Sequence, residues 1–257
     1  MLENKDDIDL EGWDLHRAAW KNSFDIARAL IASGDNVNEK GQEGDEPLHS
    51  AASYNSFEPA LLLIEHGADI HSKTDLDWTP LHCAANKNSF EVAQLLIDRG
   101  AAIDAIQENG WTSLHLTALK DSLSVGKLLI ENGADVHSKT DLGWTPLHCA
   151  AWYNSPEVAR LLIYRGAKID VKNKHGQTPL HLAVDQGSYT TAIEFIVTGA
   201  EVNTRSEWDS TPLHASVARG NLNLTNALIE KGALVNVHDR LGRTALHWVA
   251  EKGYLKV

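Results

Sequence analysis

The feature that most constrains the fold of this chain is a row of histidines at a fixed interval. Eight of its thirteen histidines recur every 33 residues without an insertion or deletion: His16, His49, His82, His115, His148, His181, His214 and His247. One residue type held in register over such a length indicates a structural repeat, in which units stack and each contacts only its neighbours. The register therefore predicts an array that presents long faces rather than a single catalytic cleft.

Residues 144–176 illustrate the local structure that we expect in each repeat. Thr145 is predicted to cap a first helix, Pro146 to occupy its first position, and His148 to reach back to the cap from its third position. This is a capping box in which an imidazole replaces the usual Glu or Gln. A turn then leads to a second, amphipathic helix and a projecting hairpin.

Three further positions of the repeat keep the same 33-residue period. The turn between the two helices is Asn, Asp or Gly, which predicts a left-handed backbone conformation, at Asn22, Asn55, Asn88, Asp121, Asn154, Gly187, Gly220 and Gly253. The next residue is predicted to cap the second helix and is Ser23, Ser56, Ser89, Ser122, Ser155, Ser188 or Asn221. A glycine then closes the second helix, at positions 34, 67, 100, 133, 166, 199 and 232.

These residues resemble the ankyrin repeat, whose hallmark is G-x-TPLH-x-AA followed by a helix ending in LL-x-x-GA. The TPLH motif is complete at residues 79–82, 145–148, 178–181 and 211–214. The resemblance implies an all-α solenoid of stacked ankyrin repeats, each a helix-turn-helix with a projecting β-hairpin. We expect an N-terminal lead-in at 1–11 and a single solenoid at 12–257. The expected repeats are 12–44, 45–77, 78–110, 111–143, 144–176, 177–209, 210–242 and a partial unit, 243–257.

The chain departs from this pattern at its ends and in two hairpins. The first repeat has Trp13 and Asp14 in place of Thr-Pro, and Asp14 can serve as the cap. Asp77 and Asp209 replace the hairpin glycine, which the left-handed conformation of Asp tolerates. The eighth repeat stops shortly after Gly253, and no polar capping repeat follows. We expect either that the natural chain continues or that another surface covers this end.

Composition and motifs narrow the functional classes. The first residues have neither a basic start nor an apolar stretch, so we expect no secretory signal and no membrane insertion. The net charge of −12 disfavours nucleic acid as a partner. Cys83 and Cys149 lie two repeats apart, too far for a disulfide, which favours free thiols and a cytoplasmic, intracellular location. Delivery into a host cell stays open.

No motif indicates a catalytic, metal or cofactor site. Equivalent histidines in successive repeats should lie roughly 10 Å apart, whereas zinc ligands converge to about 2 Å from one ion. HExxH, paired CxxC, P-loop and GxGxxG motifs are absent from the sequence. We therefore predict that the histidines form hydrogen bonds between helix and hairpin. We also predict that the protein is not an enzyme and uses no cofactor.

The candidate binding residues are those that the repeat itself does not require. The resemblance implies that partners bind the concave face, which hairpins and first helices build. On that face, aromatic and apolar side chains precede the capping threonine or follow the alanine pair. The predicted partner-binding residues are Trp78, Trp111, Trp144, Tyr54, Leu119, Trp152, Tyr153 and Trp20. Tyr and Trp supply much of the binding energy at interfaces. The alternative is that the tryptophans stack on neighbouring hairpins and stiffen the array, and the near-identical segments 71–85 and 137–151 make their recurrence partly inherited.

A second column of side chains along the hairpins is basic, at Lys40, Lys73, Lys139, Lys172 and Arg205. An acidic residue stands two positions after three of these, at Asp75, Asp141 and Glu207. The column could meet an acidic partner, but neutralisation within each hairpin is favoured. Such exposed ion pairs contribute little to stability.

The sequence thus predicts a non-catalytic scaffold, monomeric in solution, that binds an extended segment or helix of another protein. The alternative is a targeting or substrate-binding module of a longer protein, such as an enzyme, a channel or a bacterial effector. A third possibility is self-association through the uncapped last repeat, in which Leu255 would take part. The identity of the partner does not follow from the repeat, since one fold hosts many functions.

Overall fold

The computed structural model describes residues 10–253, and the regular structure within them is helical. The first helices of the repeats are α1 (Leu15–Trp20), α3 (Pro47–Tyr54), α5 (Pro80–Lys87), α7 (Ser113–Leu116), α9 (Pro146–Trp152), α11 (Pro179–Gln186), α13 (Pro212–Ala218) and α15 (Ala245–Lys252). The second helices are α2 (Phe24–Ser33), α4 (Phe57–Glu65), α6 (Phe90–Asp98), α8 (Leu123–Glu131), α10 (Pro156–Tyr164), α12 (Tyr189–Val197) and α14 (Leu222–Glu230). Short 3₁₀ turns occupy Glu108–Gly110 and Thr117–Leu119.

By its internal contacts the chain divides into two compact units. Unit 1 comprises the described residues up to Leu114 together with Ser124–Ala134, and unit 2 comprises His115–Leu123 and the described residues from Asp135 onward. In unit 1, α1, α3 and α5 pack side by side, and α2, α4 and α6 form a second row against them. In unit 2, α9, α11, α13 and α15 form the first row, and α10, α12 and α14 form the second. The predicted single solenoid over 12–257 stays a prediction.

The core of each unit repeats the same apolar positions. The leucine of the TPLH-like motif is at most 1% exposed at Leu48, Leu81, Leu114, Leu147, Leu180 and Leu213. The next such leucine along the chain, Leu246, is 73% exposed. Truncating one of the buried leucines to alanine is expected to cost about 2–5 kcal/mol, since a cavity is left behind.

The repeated histidine joins each first helix to the next hairpin. In six repeats its Nδ1 accepts a hydrogen bond from the backbone N–H three residues earlier, at His49, His82, His148, His181, His214 and His247. Its Nε2 lies 3.0–3.2 Å from a carbonyl oxygen 29 residues later, at His16, His49, His82, His115, His148, His181 and His214. Where Nδ1 accepts, Nε2 carries the proton and donates, so the ring is neutral. The predicted hydrogen bonds between helix and hairpin are confirmed for these seven histidines.

The predicted turns between helices are confirmed by their backbone angles. Every predicted turn residue has a positive φ, from 51° at Asp121 to 74° at Gly187. Asp77 and Asp209 also adopt the left-handed conformation, with φ of 61° and 54°. Asp14 caps α1, because its Oδ1 accepts from the backbone N–H of Arg17 at 2.7 Å. Local sequence alone was sufficient for these features.

The prediction that serine side chains cap the second helices is wrong. Five serines stand at the N-cap position without a capping side-chain hydrogen bond: Ser23, Ser56, Ser89, Ser155 and Ser188. For α6, α10 and α12 the hydrogen bond comes instead from the turn residue of the preceding repeat. Asn55 Oδ1 accepts from the backbone N–H of Val92 at 3.2 Å, and Asp121 Oδ1 accepts from that of Val158 at 2.8 Å. Stacking of the repeats therefore caps these three helices. The predicted side-chain cap at Asn221 is confirmed, because its Oδ1 accepts from the backbone N–H of Leu224 at 3.1 Å.

The projecting hairpins are closed turns rather than paired strands. In the hairpin Thr74–Trp78, the N–H of Thr74 donates to the carbonyl of Trp78 at 3.0 Å. Neighbouring hairpins are linked at their tips, where the N–H of Asp75 donates to the carbonyl of Glu43 at 3.0 Å. Within residues 10–253, the β-bridging that the resemblance implied is limited to one isolated antiparallel bridge, between Ile106 and Thr112.

Two predictions at the chain ends fall largely outside this range. Residues 1–9 of the predicted lead-in and residues 254–257 of the partial eighth repeat lie outside the described residues. Self-association through Leu255 is therefore untested and stays a prediction. None of the helices between residues 10 and 253 is long and apolar enough to cross a membrane.

Candidate functional site

The predicted partner-binding residues divide between the two units. Trp20, Tyr54, Trp78 and Trp111 belong to unit 1, whereas Leu119, Trp144, Trp152 and Tyr153 belong to unit 2. Each set is described within its own unit. The continuous ladder across repeats two to five stays a prediction.

Unit 1 contains an open concavity of about 810 Å³ at the predicted binding face. It lies between the hairpins 41–45 and 74–78 and the helices α3 and α5 that follow them. We call it the unit 1 groove and define it by Glu43, Asp45, Tyr54, Asp75, Leu76 and Trp78. Tyr54 and Leu76 are 57% and 56% exposed, and Trp78 is half-buried. The groove thus presents apolar and aromatic side chains that the core does not use.

Three carboxylates that are not among the predicted binding residues line the groove beside these rings. Glu43 and Asp45 come from one hairpin, and Asp75 from the next. The Asp75 carboxylate lies against Gly44, which has a φ of 71° and no room for a side chain. The signal that could have found Glu43 and Asp45 is the acidic run at 43–46, since its hairpin projects onto the same face as Tyr54.

The predicted neutralisation within the hairpin is confirmed for Lys73 and Arg205, but their partners are not the predicted Asp75 and Glu207. Lys73 Nζ lies 3.1 Å from Asp77 Oδ1, because the closed hairpin turn brings the residue four positions later beside the lysine. Arg205 likewise pairs with Asp209 at 3.5 Å rather than with Glu207. The expected pairing with the residue two positions later was wrong because it assumed an extended hairpin.

The aromatic surface of unit 1 extends from the groove to Trp20. The rings of Trp20 and Tyr54 lie 5.9 Å apart between centroids, and Lys21 Nζ lies 3.9 Å from the Trp20 ring centroid. Such a cation over a ring is attracted by the quadrupole of the aromatic system. Trp111 is half-buried, and its carbonyl oxygen lies 3.2 Å from His82 Nε2.

Two of the predicted aromatic residues of unit 2 pack against each other. Trp144 and Trp152 have ring centroids 5.2 Å apart with planes tilted by 56°, both within one repeat. The Trp144 Nε1–H is buried and, among the described residues, has no hydrogen-bond acceptor. Tyr153 is exposed and Leu119 half-buried. We call these four residues the unit 2 cluster. Its tryptophans stack inside their own repeat, which differs from the predicted alternative of stacking between neighbouring hairpins.

The ionisable groups near these surfaces have little nucleophilic or metal-binding character. Cys83 and Cys149 are free, and burial raises the pKa of the Cys83 thiol to about 11 and that of Cys149 further still. Both remain protonated thiols at neutral pH and are poor nucleophiles. Burial also lowers the pKa of His82, His148 and His181 to about 4, so these rings stay neutral. Within residues 10–253, no three His, Cys, Asp or Glu side chains are grouped to hold a metal ion.

Comparison with known proteins identifies the repeat. A family model described as ankyrin repeats (three copies) matches residues 15–107, 101–173, 139–206 and 180–257. A search of curated proteins finds no matching relative. Ankyrin repeats are generally protein–protein interaction modules and typically non-catalytic. The matched segments together cover the chain from residue 15 to its last residue, and the chain therefore belongs to the ankyrin-repeat family.

Proposed function

We propose that this protein is a non-catalytic scaffold that binds an extended segment or helix of a partner protein on the face formed by its hairpins and first helices. The observation that carries the proposal is the unit 1 groove, a concavity of about 810 Å³ with Tyr54 and Leu76 more than half exposed. Exposed apolar side chains grouped in this way are typical of interaction surfaces. Covering them would supply the favourable free energy of association.

The chemistry of the same face supports binding rather than catalysis. Cys83 is the one thiol at the groove among the described residues, and its raised pKa keeps it protonated. His49, which also borders the groove, holds both ring nitrogens in backbone hydrogen bonds, to Glu46 and Trp78. The net charge of −12 favours a protein over a nucleic acid as the partner. A binding module of a longer protein would use this same face.

The test is affinity capture with the purified protein, followed by binding measurements on the captured partner. We expect Tyr54→Ala and the triple variant Trp78→Ala, Trp111→Ala, Trp144→Ala to lose the partner while circular dichroism shows that the helices are retained. Phe90→Ala is the matched control, because Phe90 is an exposed aromatic residue of unit 1 on the second helix α6. It should bind normally. If the triple variant loses thermal stability yet still binds, the tryptophans are structural and the proposed site is wrong.

A further inference from the structure

The carboxylates of the unit 1 groove are held close to its aromatic side chains by the backbone. The bond of 3.0 Å from the Asp75 N–H to the Glu43 carbonyl joins the two hairpin tips, so both acidic side chains border one concavity. Asp45 lies at the base of the first hairpin, directly before the cap of α3. Three negative charges therefore line a surface that also includes Tyr54 and Trp78.

These charges are not neutralised by lysine or arginine side chains of the described residues. Glu43, Asp45 and Asp75 form no ion pair with a lysine or arginine there, and Lys73 is engaged with Asp77. Asp45 Oδ2 lies 3.8 Å from His16 Nε2, and that nitrogen also lies 3.1 Å from the Asp45 carbonyl oxygen. A concave surface lined by one sign of charge focuses a negative potential and attracts cations.

The shape of the groove selects an organic cation over a metal ion. The carboxylates are not grouped as metal ligands would be among residues 10–253, and the concavity of about 810 Å³ is far larger than an ion requires. A guanidinium group stacks on aromatic faces and donates in pairs to carboxylates, and an ammonium group is attracted by both. Leu76, 56% exposed at the hairpin tip, offers apolar contact to the residues that flank such a side chain.

We propose that the unit 1 groove binds an arginine or lysine side chain carried by an extended, partly apolar segment of the partner protein. The carboxylates of Glu43, Asp45 and Asp75 pair with the cation, and Tyr54 and Trp78 pack against its stem and head. This inference rests on the proposed function and names the chemistry of the partner. Because the acidic side chains border the groove without pairing with a lysine or arginine among the described residues of unit 1, a basic partner segment adds charge pairs at little competing cost.

The test is selection of a displayed library of random peptides on the full chain, in three forms. These are the wild-type chain, the double variant Glu43→Gln, Asp75→Asn, and the control Asp141→Asn. Asp141 stands at the position of Asp75 two repeats later, in the near-identical segment 137–151, and lies in unit 2. We expect arginine or lysine to be enriched with the wild type and with the control, and the enrichment to be lost with the double variant.

A recovered peptide is then synthesised with arginine or with citrulline, its uncharged isostere, and titrated by fluorescence anisotropy. We expect citrulline to weaken binding by about tenfold, as for loss of a charge-assisted hydrogen bond, and the double variant to show little preference between the two peptides. Recovery of peptides without basic enrichment, or equal affinity for arginine and citrulline, would overturn the inference and leave the proposed function standing. Recovery of no peptide above background would count against both.

Discussion

The unit 1 groove and the unit 2 cluster differ in how Tyr54 of the groove and Trp144 of the cluster are surrounded. In the groove, Tyr54 is 57% exposed beside three carboxylates, and its ring centroid lies 5.9 Å from that of Trp20. In the cluster, Trp144 and Trp152 pack at 5.2 Å, and the Trp144 indole N–H is buried. Both sets occupy positions that the repeat leaves variable. An aromatic residue at such a position is therefore a candidate for binding only when its neighbours leave it exposed.

The two units agree in the backbone hydrogen bonds of their repeated histidines. His82 of unit 1 and His148 of unit 2 make the same pair of backbone hydrogen bonds, and burial lowers the pKa of each to about 4. The framework is thus equivalent in the two units, and the difference is confined to the variable face. The first prediction below tests whether the histidine framework is equivalent in the two units, and the next two test the difference between their variable faces.

The largest effect is expected from acid. Burial lowers the pKa of His82, His148 and His181 from 6.5 to about 4, so between these values the unfolded chain binds more protons than the folded chain. The free energy of unfolding should be at its full value above pH 6.5 and fall as the pH approaches 4, by on the order of several kcal/mol in total. Urea denaturation at a series of pH values, followed by tryptophan fluorescence, measures it.

The control for the pH dependence of unfolding replaces two exposed histidines. His71→Gln and His137→Gln should leave the pH dependence unchanged, since both side chains are at the surface. Hydrogen exchange resolved by residue separates the two units. Loss of protection in only one unit over this pH range would break the equivalence of their frameworks.

The second effect separates the two aromatic sets by stability. Trp144→Ala should lower the free energy of unfolding by about 2–3 kcal/mol, because it removes a half-buried ring and its contact with Trp152. Tyr54→Ala should lower it by less than about 1 kcal/mol, as for an exposed side chain. Chemical denaturation of both variants gives the two values. Equal losses would mean that Tyr54 is as structural as Trp144 and would remove the distinction.

The smallest effect concerns the carboxylates of the groove. Glu43→Gln combined with Asp75→Asn should raise the free energy of unfolding by up to about 0.5 kcal/mol, because like charges at one concavity repel. Asp141→Asn should leave it nearly unchanged. The difference should shrink at high salt, where exposed charges are screened. A loss of stability in the double variant would instead indicate that one of these carboxylates supports the hairpins.

Much of the framework could be predicted because it depends on residues close in sequence. The capping box links residues three apart, as in Thr145 and His148, and the left-handed turns depend on one residue each. Because the sequence repeats every 33 residues, these local features could be predicted in each repeat. The histidine bonds to the next hairpin were also predicted, since a repeat brings the same positions together at every step.

The site was less accessible to sequence reasoning, because its properties depend on which side chains meet. Tyr54 and Trp78 were selected by their positions, and both line the groove. Glu43 and Asp45 were not predicted to belong to the site. Asp75 was predicted to form an ion pair with Lys73, because the prediction considered charge pairs within one hairpin only. The pairing of Lys73 with Asp77 depends on how that hairpin closes.

By itself the sequence determined the period, the helix pairs, the capping histidines and the turns, since short-range backbone requirements set all of these. Only the tertiary structure decided that Asn55 and Asp121 cap helices of the following repeat in place of the serines. It also decided that Trp144 packs on Trp152 while Tyr54 stays exposed beside carboxylates that pair with no lysine or arginine of the described residues. The physical reason is the same in each case. Hydrogen bonds, ring contacts and charge pairs act over a few ångströms in space, and stacking sets which residues, some 30 or more positions apart, come within that distance.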